Sequence, residues 1–542
     1  MSYSDLQSAS LGLRKAKHLL RRTSFSYTKE LLLSLADLTP ERAVEQLVNT
    51  TTNSWPAPYD PLPTGNPDGH WTSSAATFSG QTRKKRIVTA WWWYNALQQN
   101  SLKQKASFFL HSCFTVSKSV GGTASASYFF DYVRLLDHYA LGNLKDLAKK
   151  ITFDNAMLIY LNNTRNNARN PNENYAREYL ELFTILKGQQ IGPEDYTTYT
   201  EKDVQIAAKV FSGIKIQPKR DVIDTDTGIP RGKVFVNQHD KTDKTFSTAF
   251  NETKIVAGTT EAAIEKEHDD FVNMVFQQEA TALSYCKKLY RFFIRSTWDP
   301  ETEEQFIKPL AQDLITENFE LLPILKKLLT SKHFYDQDDA KDSDEIIGSI
   351  VKSPLNLLSE IVSFFKLEIP HPENNALEFY RFFNFVHNSC FTKAGMPFWE
   401  PNTVAGYPAY YQEPDFDRHW YSSNTILPRF NIIQSLLAGR DRSNNNARIY
   451  VTLDITSFVE QNMTNPSSSS DLITEFTDLL YPEAVSEERK RYFSKILLGD
   501  FPSGYWTSAW INYTSTRDNT IVKTRLEALI TVLINAPEFQ LM

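Results

Sequence analysis

The chain has 542 residues, of which 41% are hydrophobic and 23% charged, and its formal net charge is -6. The composition is that of a globular protein, and length alone suggests about three or four domain-sized units. The acidic balance argues against an electrostatic nucleic-acid binder. The three cysteines, Cys113, Cys286 and Cys390, show no CxxC or zinc spacing and make a poor disulfide framework.

Helical patterning dominates from the start. Met1 to Arg22 has no apolar h-region, so the chain as written is expected to be cytoplasmic, and no apolar run approaches the 18 residues of a membrane span. Arg21 and Arg22 read as packing or ion-pair residues. Two short helices are predicted at 28–38 and 40–49, and the Pro, Gly, Ser and Thr content of 51–82 predicts a long loop. One helical stretch is expected from Arg83 to about Phe114. Its basic cluster Arg83-Lys84-Lys85-Arg86 reads as a solvated helix start, and Trp91-Trp92-Trp93-Tyr94 covers every side of the helix and predicts burial. Two more helices fall within 124–160, and a helix at 200–213 is opened by Thr200. Between about 214 and 256, Ile214, Ile216 and Val234-Phe235-Val236 flank a turn-rich segment and predict a hairpin or irregular β excursion. Helices are predicted again at 260–297, 303–318, 320–331, 345–366 and 375–388. The Pro-, Tyr- and Trp-rich stretch 390–424 reads as a long structured loop. Further helices are expected at 425–438, 470–481, 486–498 and 519–534, and Asn465-Pro466 with Ser467–Ser470 reads as a surface linker. The fold class is therefore mainly α, a large multi-helix protein with a small β excursion.

The densest chemistry lies at Asn170-Pro171-Asn172-Glu173-Asn174-Tyr175-Ala176-Arg177-Glu178. Asn170 can cap a helix, Pro171 fits its first position, and Glu173 stands where a capping box needs an acid. Within 170–188, Tyr175, Tyr179, Leu182 and Leu186 recur at helical spacing and should face a core. Glu173 with Arg177, and Arg177 with Glu181, are i,i+4 partners.

This run resembles the bacterial family called domain of unknown function 1800. Other ordered matches are His18-Leu19-Leu20-Arg21-Arg22, Asn155-Ala156-Met157-Leu158, Thr200-Glu201-Lys202-Asp203-Val204, His239-Asp240 with Lys244, Lys352-Ser353-Pro354, Pro401-Asn402-Thr403-Val404-Ala405-Gly406-Tyr407-Pro408 and Pro537-Glu538-Phe539-Gln540. The resemblance implies a mostly helical fold and covers nearly the whole chain, so the expected organisation is a single helical unit over 1–542. Within it the residue pattern gives a loop at 51–82, a β-like insertion at 214–256, a structured aromatic loop at 390–424 and a C-terminal helical segment at 441–542. The resemblance also implies that many relatives are exported and are encoded beside a sulfatase-like family, and it implies no reaction. Relatives usually carry Trp-His-Asn-His-Phe where this chain has Leu110-His111-Ser112-Cys113-Phe114, and Trp where it has Tyr407.

Two polar clusters are candidates for a site: Asn172, Glu173, Asn174 and Glu178 on the motif helix, and His239, Asp240 and Asp243 in the β excursion. Their oxygens suit a divalent cation held by Asn172, Asn174, Glu173, His239 and Asp240. Without a metal, Glu173 or Glu178 with Asp240 and His239 is a catalytic acid/base set, and the aromatic 399–421 loop could stack sugars. The architectural alternative has His239 fixing a loop through a backbone carbonyl, Lys244 pairing with Asp240, and Asn172 and Asn174 tying the 390–424 loop. No GxSxG, P-loop, GxGxxG, HExxH or kinase signature is present. Two functions are expected from these residues: a hydrolase or lyase on a glycan or related polar substrate, or a non-catalytic helical assembly protein working with a sulfatase-like partner.

Overall fold

The structure is a computed structural model describing residues 6–50, 57–61, 71–72, 80–121, 125–193, 195–338 and 345–542. Most of the loop expected at 51–82 lies outside the described residues. Helices carry the architecture, and the strands are short two-stranded ladders. A continuous cluster of buried apolar side chains runs from Leu11 to Phe539.

The long helix expected from Arg83 is two helices, Gln81–Gln98 and Leu102–Cys113, because Ser101 turns extended and caps the second through its hydroxyl. Trp91, Trp92 and Trp93 are buried as the pattern requires. The basic cluster is not a solvated start. Lys84 and Lys85 are buried, Lys84 lies 3.2 Å from Asp60, and Lys85 donates to the Val120 carbonyl at 2.8 Å. Their stems add to the core while each ammonium reaches a local acceptor.

Within 260–297 the chain likewise breaks into Glu261–Phe276 and Glu279–Phe293. The β excursion consists of Ile214-Lys215 paired with Lys233-Val234, and Lys244-Thr245 paired with Lys254-Ile255. Thr200 and Asp203 form the expected cap, a reciprocal capping box. Asp203 also accepts from the Ser247 amide and hydroxyl at 2.7 and 2.6 Å, which fixes the excursion to that helix. Helices at Gly12–Thr23, Ile455–Asn462 and Ser503–Thr516 were not expected from the pattern. The expected surface linker at 465–470 is pinned, since Trp506 Nε1 and the Thr507 hydroxyl donate to the Pro466 and Ser467 carbonyls.

Several motif residues meet far from their sequence neighbours. Arg21 Nη2 lies 2.8 Å from Glu360 Oε1, and Lys352 Nζ lies 2.8 Å from Glu360 Oε2. Lys352 also donates to the Phe539 carbonyl at 2.6 Å, and Arg429 donates to Gln540 Oε1 and to the Lys352 carbonyl. All five of the side chains Arg21, Lys352, Glu360, Arg429 and Gln540 are buried. The knot ties the first helix, the middle of the chain and its last helix into one packed body.

Candidate functional site

The motif run does not form the long capped helix its pattern suggests. Asn170 and Pro171 lie in a loop, and α-helix covers only Asn174–Glu178, preceded by Glu173 without a side-chain cap. Asn172 Oδ1 instead accepts from the Asn174 amide at 3.0 Å, a local bond that competes with capping. A π-turn follows over Tyr179–Phe183. The wider turn shifts the helical face by a residue, so Leu180 and Phe183 are buried with Tyr175 and Tyr179. Leu182 and Leu186 are left half-buried on a cavity wall.

Three donors of the Glu279–Phe293 helix catch the carbonyls freed at this end. Ser284 Oγ donates to Thr184 O at 2.6 Å, Tyr285 Oη to Phe183 O at 2.8 Å and Lys288 Nζ to Leu182 O at 2.5 Å. A helix end needs such partners, and a cation there also meets the negative end of the dipole.

Among the described residues no bond joins the two expected clusters, and each has partners of its own. Glu173 Oε2 lies 3.3 Å from Arg177, the expected i,i+4 pair. Arg177 otherwise turns to Glu201 and not to Glu181, which pairs with Lys187 at 2.9 Å. Asn174 Nδ2 donates to the Leu161 carbonyl at 3.0 Å, so the two asparagines tie local backbone and not the 390–424 loop. Glu178 is half-buried, and burial followed by the neighbouring Glu181 pushes its carboxyl up.

His239 is buried, with Nδ1 2.8 Å from the Ser212 carbonyl and Nε2 3.0 Å from Glu267 Oε2. Lys244 Nζ lies 2.6 Å from Glu267 Oε1 and 3.8 Å from Asp240 Oδ1 and donates to the Asp240 carbonyl at 2.6 Å, so it bonds both residues. Burial would raise the Asp240 carboxyl, but bonds from Thr242 and the charges of Lys244 and Lys209 hold it low. Asp243 pairs with Lys254 at 2.8 Å on the surface. Among the described residues no hydrogen bond or ion pair joins Glu173 or Glu178 to His239 or Asp240, and no group of three or more His, Cys, Asp and Glu side chains is arranged to hold a metal.

A cavity of about 660 Å³ lies elsewhere, where the motif helix end, the Glu279–Phe293 helix and the aromatic loop meet. That volume falls in the range of small-molecule sites. The Glu279–Phe293 helix turns Ala282, Tyr285, Cys286, Leu289 and Phe293 into the core, which leaves Lys287, Lys288, Arg291 and Phe292 on the stripe lining the cavity. The loop contributes Tyr410, Tyr411, Glu413 and Phe416. Its position is fixed by Tyr407 Oη donating to the Pro397 carbonyl at 2.7 Å, by Trp399 packed 4.2 Å from the His111 ring, and by Asp417, which accepts from the Val351 amide at 2.6 Å and from Ser296. Gly406 has φ +95°, and a Cβ there would stand 3.1 Å from Thr115 Oγ1, so the tight turn at the cavity base requires glycine.

The polar groups of the cavity differ in their partners. Lys287 pairs with Glu303 at 2.7 Å. Burial would raise the Glu303 carboxyl, but bonds from Lys287 and Trp298 Nε1 prevail and hold it below the usual glutamate value. Burial lowers both Lys288 and Arg291. Cys113 also lines the cavity, and burial pushes its thiol up to about 11, so it is a poor nucleophile at neutral pH. His111 faces away, its Nδ1 2.9 Å from the Tyr132 hydroxyl, and burial lowers it to about 3.

Sequence reading found the aromatic loop but missed Lys288, Arg291 and Glu303. The available signal was a Lys-Lys-x-x-Arg-Phe stripe on an otherwise apolar helix followed closely by Trp298.

The family model described as "Protein of unknown function (DUF1800)" matches residues 18–541, and the chain belongs to this family. No curated protein and no solved structure matches the chain. No helix among the described residues is long and apolar enough to cross a membrane.

Proposed function

We propose that the protein is a hydrolase or lyase that takes a glycan fragment or a related polar substrate into the cavity at Arg291. The observation carrying this reading is that Phe292, Trp298, Tyr410, Tyr411 and Phe416 line a sugar-sized cavity that also holds Glu303 and Glu413. Aromatic faces hold the apolar faces of sugar rings, and paired carboxylates are the groups with which glycosides are cleaved. Glu303, held ionised by Lys287 and Trp298, suits the base or nucleophile, and Glu413 suits the second carboxyl. The polar residues at Glu173, Glu178, His239 and Asp240 then support the motif helix and the β excursion instead of touching substrate.

The test is an oligosaccharide panel incubated with the full chain, with products read by mass spectrometry. Cleavage that disappears in Glu303→Gln while the melting temperature holds supports the reading. A folded protein that neither cleaves nor binds any glycan overturns it.

The second reading, a non-catalytic assembly role beside a sulfatase-like partner, rests on the absence of a recognised catalytic signature in the sequence. Arg21, Lys352, Glu360, Arg429 and Gln540 are all spent on framework contacts. Co-purification of a sulfatase-like protein with the native chain, and no turnover, would select this role.

A further inference from the structure

We infer that the ligand of this cavity carries an oxyanion, of the class shared by a uronate carboxylate, a sulfate ester and a phosphate, and that Arg291 receives it. The inference rests on the proposed use of the cavity and names the substrate class.

Arg291 is held as a preorganised fork. Its Nε donates to the Ser296 carbonyl at 3.3 Å, and its guanidinium lies 4.8 Å from the Trp298 ring centroid and 4.5 Å from that of Phe416. Rings beside a guanidinium fix its plane and leave its edge free to donate. Among the described residues, nothing accepts from its two terminal nitrogens and no carboxylate stands within ion-pair distance. Lys288, one turn earlier on the same stripe, likewise faces no carboxylate, and its one bond goes to the Leu182 carbonyl. Lys287, by contrast, is neutralised by Glu303.

The chain shows how it treats a buried arginine kept for structure. Arg220 is met by both oxygens of Asp131 at 2.9 and 2.8 Å, and Arg21 by Glu360. Arg429 is met by Gln540 and the Lys352 carbonyl. Arg291 departs from that pattern at the wall of the cavity. A half-buried cation whose planar donors have no protein acceptor is matched by a planar or tetrahedral oxyanion, which takes two parallel N–H bonds from the fork. Lys288 adds a second positive charge on the same wall, and Glu413 stands at the exposed rim.

The experiment is isothermal titration of the full chain with four tetrasaccharides of equal length, one uronate-bearing, one sulfated, one phosphorylated and one neutral, and with inorganic phosphate alone. It is repeated on Arg291→Gln and Arg291→Lys, each checked by melting temperature. Charged probes are expected to bind wild type at least about tenfold more tightly than the neutral one, the effect of a lost charge-assisted bond pair. Arg291→Gln should erase that preference with little effect on the neutral probe, and Arg291→Lys should restore part of it. The ranking among the three charged sugars identifies which oxyanion the site takes. Equal binding of neutral and charged sugars, unchanged in Arg291→Gln, overturns the inference while the glycan reading stands. Arg291-dependent binding of inorganic phosphate without binding of any sugar does the reverse. Failure of every probe to bind folded wild type overturns both.

Discussion

Two regions of this molecule hold buried charge, and they treat it oppositely. Around Glu267 and around Glu360 each charge meets a partner from a distant segment: His239 and Lys244 close on Glu267, and Arg21 and Lys352 close on Glu360. At the cavity, Arg291 and Lys288 have bonds that place them but no ion-pair partner, and only the exposed Glu413 acts on Arg291 as a more distant opposite charge. A closed network of this kind holds segments together, and removing one member strands the others in a poorly solvating interior. A cation left open to a cavity contributes no such bracing and is free for a ligand. Polar density in the sequence and open charge in the fold fall in different places here. The networks at Glu267 and Glu360 are closed, and the open charges sit on the Glu279–Phe293 helix.

The sharpest way to break this comparison is at Glu360. Glu360→Gln should destabilise the protein by about 3 to 5 kcal/mol, the usual result of breaking a buried ion pair, with cavity binding kept in the folded fraction. Urea denaturation measures it, and a loss below about 1 kcal/mol would show that the knot is not structural. His239→Ala should cost about 2 kcal/mol, because it removes the hydrogen bonds His239 makes with Ser212 and Glu267 in the interior, again without a change in ligand affinity per folded molecule. A variant of normal stability that loses all ligand binding would move His239 from framework to site.

The pH response separates the framework from solvent. His111 is held at about 3 against 6.5 for an ordinary histidine, by burial. Between those values the unfolded chain binds the extra proton, so stability falls as pH drops through 6.5 and levels off below 3. From pH 7 to pH 5 this one group should remove about 2 kcal/mol. His111→Phe should remove about 2 kcal/mol of the pH dependence measured by denaturation at the two pH values, the remainder staying with the buried His18 and His387, and Tyr132 still donates to the Phe114 carbonyl in that variant. An unchanged slope would mean that His111 protonates freely in the fold.

Smaller effects sharpen the cavity side. Tyr411→Ala should weaken the best-binding oligosaccharide by roughly fivefold to tenfold, as loss of one aromatic face does, with an unchanged melting temperature. Strengthened binding would place the sugar elsewhere. The smallest effect belongs to the residue that looks most catalytic in sequence. Glu173 is partly exposed and paired with Arg177, so Glu173→Gln should alter stability by under about 0.5 kcal/mol and leave turnover unchanged. Lost turnover in that variant would return the motif helix to the active site.

Much of the fold was legible. The Thr200 cap, the buried tryptophan run, the β excursion and most C-terminal helices follow from spacing and turn residues alone. Misreadings arose where a local device overrode a periodic pattern. Ser101 cut a helix whose apolar pattern ran on, and the π-turn after Glu178 buried Leu180 and Phe183 more fully than Leu182 and ended the helix before Leu186. The Arg83–Arg86 cluster looked solvated because a sequence does not show that Val120 and Asp60 offer acceptors inside.

By itself the sequence determined the helical class, the family and the kinds of residue present, since these depend on short-range period and on ordered motifs. Only the tertiary structure decided which polar groups are spent and which are free. His239 is bonded on both ring nitrogens because Ser212 and Glu267 reach it from 27 and 28 residues away. Arg291 became a candidate receptor because the described chain brings it two aromatic rings and no carboxylate within ion-pair distance. Whether a charge is paired depends on which distant segments pack beside it, and that is settled by folding of the whole chain.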